Sequence, residues 1–330
     1  MRVLHITTHL GGGLGSVVMD WVKNAGEGHV IAALDYVSGF AANFCKQHSI
    51  HLVQRCSPRE VLFLIGKAEI VMVHWYDHLD LFHLFAAPLP ACRLIFWCHK
   101  NYQISRAEKG YPDRFYGTSP VQGLPGWIWS TRDMEPFLKV ERKHHDRFTV
   151  GYVGTIDYKK IHPSFVGVWC SGVQAVIPDA RFLMVGSPNI SLNDALQFDC
   201  TGHVDDVKPY LAEMDVLGYP LRYDHYGTCE QVLGEAMSAG VIPVVLDNPT
   251  EKYILDSQGI CTYVASTPRE YVSLIKHIRG LPGKVRGLIS SYYRQRAKVL
   301  YNQKKMISQW EEIFEDIMCQ PKRQHMGLLV

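Results

Sequence analysis

Residues Tyr226–Val245 read YGTCEQVLGEAMSAGVIPVV, a stretch that holds one loop, one helix and one strand in succession. Glu230 and Glu235 open the expected helix, Ala236 to Ala239 continue it with small residues, and Gly240 supplies a C-terminal stop. Val241 to Leu246 then reads as a buried parallel strand, apolar throughout. Carboxylates and free backbone N–H groups at a loop-to-helix junction suit a ligand with both hydroxyls and phosphates. The N–H groups and the helix dipole take a phosphate, and a carboxylate takes sugar hydroxyls. A nucleotide-sugar site is the expectation from these residues alone.

Glu235, Ala236, Met237, Gly240, Pro243, Val244 and Val245 also match a known signature. The segment resembles the donor-binding motif of retaining glycosyltransferases of the GT-B fold, glycosyltransferase family 4 in particular. The resemblance implies that Glu235 bonds the ribose hydroxyls of a nucleotide-sugar, from a helix N-terminus that keeps it ionised. In that family an earlier Glu binds the hydroxyls of the transferred sugar, and Gly227 occupies its place here. Either Glu230 takes the role from a reshaped loop, or Asp224 does, with Asp224–Gly227 (DHYG) echoing the family's EGFG. Thr228 and the N–H groups beside it are candidates for holding phosphate.

Outward from this motif, strands and helices alternate. Arg2–Thr7, His29–Tyr36, Glu69–His74 and Arg93–Cys98 are expected strands, and so are Thr149–Gly154, Ala180–Gly186 and Asp215–Tyr219. Helices are expected at Ser16–Asn24, Phe165–Val176 and Val207–Met214, and again beyond Pro282. The character changes at Glu135–Phe148, where Pro136 and the charged run Lys139–Arg147 suggest an exposed boundary. Alternation of this kind gives α/β units with parallel sheets. The resemblance implies their pairing as two Rossmann-like, doubly wound domains facing a cleft. Their expected limits are 1–146 for the acceptor and 147–290 for the donor, with a helix at 291–320 packing back on the first domain.

His9–Ser16 (HLGGGLGS) lies between the first strand and first helix, where glycines let the backbone approach a phosphate or sugar. It is similar to the family loop that touches donor and acceptor, which makes Gly12 and Gly13 binding candidates. A dinucleotide fingerprint with Asp35 on the ribose, or a purely structural tight turn, are the alternatives. Thr149–Lys160 (TVGYVGTIDYKK) is similar to the strand-turn whose Arg and Lys bind the donor diphosphate. Gly154 ends that strand, Thr155 stands at the usual Arg position, and Lys159 and Lys160 are available for the Lys role. Such cations would neutralise the departing nucleotide. Arg222 is the substitute for the missing Arg, and an exposed Lys pair at a helix start is the plainer reading.

His99 and His74 each end an apolar strand, and strand ends line the ligand crevice of open parallel sheets. The family commonly has a His at the place of His99, close to the reacting sugar. Trp127 and Trp129 either face an acceptor or pack between the two domains, and Asp205 and Asp206 read as a helix cap rather than a metal motif.

The bulk composition suits such an enzyme. The chain has 330 residues, 47% hydrophobic and 20% charged, with a net charge of +2, so nothing calls for a nucleic-acid partner. Nine Cys without metal-ligand spacing fit reduced thiols, and 16 His form no HExxH pattern. No leader and no apolar run of about 18 residues is expected. The expected setting is therefore cytoplasmic, with Lys139–Arg147 and the C-terminal basic residues either solvated or touching an anionic membrane face.

The expected function is metal-independent, retaining transfer of a sugar from a UDP- or GDP-sugar to a glycan, lipid-linked or small-molecule hydroxyl, with no cofactor. His99, Glu230 and Lys160 are the expected catalytic groups. A non-catalytic glycosyltransferase-like binding subunit, a nucleotide-sugar epimerase or phosphorylase on the same scaffold, and a dinucleotide-dependent oxidoreductase are the alternatives.

Overall fold

The computed structural model describes residues 1–101, 103–190, 198–255 and 263–328. The chain divides into two compact units. The first comprises Met1–Asp133, Gly227–Cys229 and Asn302–Val330, and the second Met134–Tyr226 with Glu230–Tyr301. No helix among the described residues is long and apolar enough to cross a membrane.

The first unit is built on six parallel strands, β1 (Val3–Leu10), β2 (His29–Val37), β3 (His51–Gln54), β4 (Ile70–Trp75), β5 (Leu94–Cys98) and β6 (Arg114–Gly117), in the order β3-β2-β1-β4-β5-β6. Strands β4 and β5 are buried at every residue, as expected of central strands covered on both faces. The helix after β1 spans Gly12–Asn24 and so starts four residues before the expected Ser16, taking most of the glycine loop into its first turn. Gly15 makes this possible: a Cβ there would lie 3.0 Å from the Leu10 carbonyl carbon. The last helix, Gln303–Met318, belongs to this unit. Its Trp310 stacks on Trp21 (5.6 Å) and meets Trp97 edge-on (5.2 Å), with Met306, Phe314 and Ile317 buried beside them.

The second unit repeats the plan with β7 (Thr149–Val153), β8 (Arg181–Val185), β9 (Phe198–Cys200), β10 (Val216–Tyr219), β11 (Ile242–Leu246) and β12 (Val264–Ala265), ordered β12-β11-β10-β7-β8-β9. The helical stretch expected at Phe165–Val176 begins as a π-turn over Phe165–Cys170 and becomes α-helical only at Ser171–Val176. Beyond Pro282 there are two helices rather than one. Gly283–Leu300 groups with the second unit, and Asn302 caps the next helix by accepting the Lys305 N–H at 3.0 Å.

The division therefore falls at Asp133/Met134 and not at 146. The reason is that Lys139–Arg147 is stapled to the second unit instead of forming a free linker. Arg142 donates to the carbonyls of Leu211 (2.6 Å) and Met214, the Lys143 N–H to Ala212 O (2.9 Å), and Arg147 to Asp179 O (3.2 Å) and Ala180 O (3.1 Å).

Candidate active site

In each sheet the strand order reverses between two central strands, β1/β4 in the first and β7/β10 in the second. The crevice beyond the carboxyl ends of such a pair is where open parallel sheets hold ligands. The sequence candidates gather at these two places.

At the second sheet, Gly154 ends β7 with φ 132°, and the chain then folds over the end of β10. An antiparallel bridge of Ile161 with Leu221, the Arg222 N–H on Lys160 O (3.0 Å) and the His162 N–H on Pro220 O (2.9 Å) fix that crossing. Residues 157–161 form a turn closed by the Lys160 N–H on Asp157 O (2.9 Å), so the helix start expected for the Lys pair is absent. The turn sends the two lysines different ways. Lys159 is exposed, whereas Lys160 turns inward and places Nζ 3.1 Å from Glu230 Oε2.

Glu230 is the residue before the helix Gln231–Ser238, with φ 27° and ψ 77°. This left-handed backbone aims its carboxylate back at the ends of β7 and β10. Tyr219, the last residue of β10, donates its hydroxyl to Glu230 Oε2 at 2.5 Å, and Tyr301 donates its own to Glu230 O at 3.0 Å. Burial works against the Glu230 charge, but Lys160, His225 and the Tyr219 hydroxyl overcome it and lower the carboxyl below its ordinary value. Burial likewise opposes the Lys160 charge, and Glu230 more than restores it, so Lys160 is raised. The ammonium also lies 5.6 Å from the Tyr219 ring centroid and 5.8 Å from that of Tyr226.

A second acid completes the cluster. His225 lies between two carboxylates, with Nδ1 3.6 Å from Glu230 Oε1 and Nε2 2.9 Å from Glu251 Oε1. Burial pulls its pKa down, but the hydrogen bond and charge of Glu251, with Glu230 behind it, raise it on balance. His225, Glu230 and Glu251 bring ligand atoms within 4.8 Å of one another, a spacing open to a cation, and Lys160 already supplies one to Glu230. Sequence reasoning missed Tyr219, His225 and Glu251. Glu251 follows Pro249 in the first turn of Pro249–Leu255, where an acid reads as an ordinary helix start, yet its side chain is wholly buried.

The other candidates fall around this cluster or outside it. Glu235 is buried in the middle of its eight-residue helix and not at the N-terminus, so the helix-end argument for its charge does not apply. Arg222 and Asp224 hold one another, Nη2 to Oδ2 at 2.8 Å, and Arg222 Nη1 donates to Tyr158 O (3.0 Å). Asp224 is therefore exposed and engaged, and Glu230 is the acid placed beside the lysine. The Thr155 side chain is exposed while its carbonyl accepts the Tyr152 hydroxyl at 2.8 Å. Gly227 and Thr228 group with the first unit, where Cys229 Sγ donates to Thr118 O at 3.0 Å.

At the first sheet, His99 follows β5 and His74 lies near the end of β4, with Nε2 of the former 3.3 Å from Nδ1 of the latter. Gly12 and Gly13 are exposed on the first turn after β1, Gly12 with φ 58°. His9 Nδ1 meets the Tyr76 hydroxyl at 2.6 Å, a pair the sequence did not single out. Trp129 is buried, while Trp127 is 40% exposed. Asp206 Oδ1 accepts the Lys208 N–H at 3.0 Å, at the start of Lys208–Leu211.

Residues 147–280 match a family model described as glycosyl transferases group 1, a segment that contains β7, Lys160, Glu230, Glu235 and Glu251. No curated protein matches the chain. Among solved structures it is similar to a glycosyltransferase from Rickettsia africae, at TM-score 0.73 and 12% identity over 96% of this chain and 98% of that one. It is similar to HepE of Anabaena in complex with UDP-glucose, at TM-score 0.72 and 12% identity over 96% and 100%. It is also similar to sucrose-phosphate synthase from Thermosynechococcus elongatus, at TM-score 0.66 and 15% identity over 96% and 99%. At these identities the likeness is one of fold, and the fold is GT-B.

Proposed function

We propose, from the match of residues 147–280 to the glycosyl transferases group 1, that this glycosyltransferase moves a sugar from a nucleoside-diphosphate sugar to an acceptor hydroxyl with retention of anomeric configuration. The observation that carries the reading is the buried Lys160–Glu230 pair at the strand-order reversal of the second sheet, inside the matched segment. An ammonium there answers the charge that develops on a departing diphosphate. Glu230 answers the hydroxyls of the transferred sugar and takes the place of the acid that Gly227 lacks. Glu235, five residues along the same helix, is assigned to the ribose, and Gly154 and Thr155 to the diphosphate, with Lys159 and Arg222 at its outer side.

UDP is the preferred nucleotide of this proposal, on the strength of the Anabaena neighbour solved with UDP-glucose. The acceptor is assigned to the first unit, around Gly12, Gly13 and His99, and is a glycan, a lipid-linked sugar or a small molecule. Leaving phosphate accepts its proton, or passes that task to His99. Lys160 supplies the positive charge, so transfer without added metal is expected.

A thermal-shift panel of UDP-, GDP-, ADP- and dTDP-sugars, with EDTA present and NADH as comparator, tests the reading. A ligand that binds only the folded state raises the midpoint according to its affinity. A rise with one nucleotide-sugar followed by transfer to an acceptor supports the proposal. Binding without turnover points to the non-catalytic alternative, and a rise with NADH alone overturns the assignment.

A further inference from the structure

Four histidines of the first unit lie head to tail. His29 Nδ1 is 2.8 Å from His5 Nε2, His5 Nδ1 is 3.2 Å from His74 Nε2, and His74 Nδ1 is 3.3 Å from His99 Nε2. Strand register explains the regularity. His29 is level with Val3, His5 stands two places further, His74 follows the Ile6–Val73 pair, and His99 lies two places past Trp97, the partner of His74. Each step crosses one strand and advances two residues, which keeps every ring on one face of the sheet. The diagonal runs from the amino edge of the sheet at His29 to the carboxyl edge at His99.

The surroundings are dry and aromatic. His5 and His74 have no exposed surface, and both end rings are half-buried. Trp21 stands edge-on to His5 (4.8 Å) and His74 (6.3 Å), and Trp97 is 4.8 Å from His99. Burial first, then neighbouring imidazoles, holds His5 and His99 well below the ordinary value, and burial lowers His74 to about 3. Burial, with a smaller push from the N-terminal ammonium, lowers His29 to about 4. All the rings are neutral at pH 7, each with one N–H.

Neutrality leaves little choice. If every gap in the chain holds one proton, the remaining N–H must sit at one end. Either every ring carries it on Nδ1, so that His99 presents Nδ1–H, or every ring carries it on Nε2, so that His99 presents a bare Nδ1. We propose that His29, His5, His74 and His99 form one imidazole relay that ties the tautomer of His99 to the far edge of the sheet and moves a proton between them. Its use in catalysis rests on the acceptor assignment made above, but the relay itself does not.

The transfer balances without any other reactant. A hydroxyl at His99 gives its proton to a bare Nδ1, and His99 releases its Nε2 proton to His74 Nδ1. His74 releases to His5, His5 to His29, and His29 gives its Nε2 proton to water. Every ring ends neutral in the opposite tautomer. His29, His5 and His74 are thus positioning residues for His99.

The test is nitrogen NMR of protein labelled with 15N-histidine, because protonated and bare ring nitrogens resonate far apart. In the unaltered protein the four rings are expected in one common tautomer. His29→Lys places an obligate donor at the end of the chain, and His29→Glu an obligate acceptor. The first is expected to drive His99 to Nδ1–H and the second to Nε2–H, although residue 29 does not touch His99. Rings of the unaltered protein in mismatched tautomers would overturn the relay, as would the same His99 tautomer in both folded variants. If either variant fails to fold by its thermal transition, the common tautomer of the unaltered protein decides. Sugar transfer is assayed separately, so its absence would remove the proposed function and leave the relay standing.

Discussion

Lys160 Nζ lies 3.1 Å from Glu230 Oε2, and the side chains are 14% and 4% exposed. A pair so shielded contributes specificity more than net stability, yet removing one member leaves the other charged and dry. Lys160→Met is therefore expected to cost about 3–5 kcal/mol in urea unfolding. Proposed sugar transfer should fall by roughly 100- to 1,000-fold, the usual loss when one charge-stabilising group goes. The double variant Lys160→Met/Glu230→Gln should recover much of the stability and none of the activity. Full activity in the single variant would remove Lys160 from the donor site.

Glu235→Gln keeps the volume of a buried side chain and removes its charge. If it binds ribose hydroxyls, donor affinity should drop by roughly 10- to 100-fold, since hydrogen bonds to charged groups are worth about 1.5–3 kcal/mol. Isothermal titration with UDP and UDP-sugar measures this. Equal affinity for both proteins would leave Glu235 a structural residue.

Gly234 is a steric test of the same helix. A Cβ at this position would lie 2.7 Å from the Tyr301 ring, whose hydroxyl holds Glu230 O. Gly234→Ala is expected to destabilise by about 1–3 kcal/mol, the cost of overpacking. It should lower kcat as well, because Tyr301 must shift. Thermal unfolding and steady-state rates read the two effects.

Stability against pH should fall off on the acid side. Burial, complete at His74 and partial at His29, holds both rings neutral, at about 3 and about 4. Their unfolded counterparts bind protons first, so their contribution is complete above about pH 6.5 and is lost as pH falls toward the folded values, by at most about 1.4 kcal/mol per pH unit for each ring. His225 runs the other way. Its folded pKa is raised, so its contribution is complete below about pH 6.5 and is lost as pH rises through that folded value. Midpoints measured across pH should show His29→Phe flattening the acid limb and His225→Phe flattening the alkaline one.

The fold was legible because central parallel strands carry apolar runs that no helix period imitates. β4, β5 and β11 could be read directly, whereas the edge strands β3, β6 and β9 are short and half-polar and gave no such signal. At the site, Glu235 and Lys160 were visible through their neighbours in sequence. Tyr219, His225 and Glu251 were not, because each converges on Glu230 from a different segment, and convergence is a property of the sheet's topology. The histidine diagonal was hidden for the same reason. Its members are 24, 69 and 25 residues apart, and only strand register brings them into line.

Glu230 holds its carboxylate in place with a φ of 27°, a conformation that glycine adopts without strain and glutamate does not. Heat resistance and chemistry therefore pull this position in opposite directions. A library varied at residues 160 and 230 together and sorted for survival at high temperature alone should enrich glycine at 230 with an apolar residue at 160, discarding both the backbone strain and the buried charge pair. The same library sorted for product should keep an acid. Divergence between the two sorted pools would mark residue 230 as a functional position before any substrate had been identified.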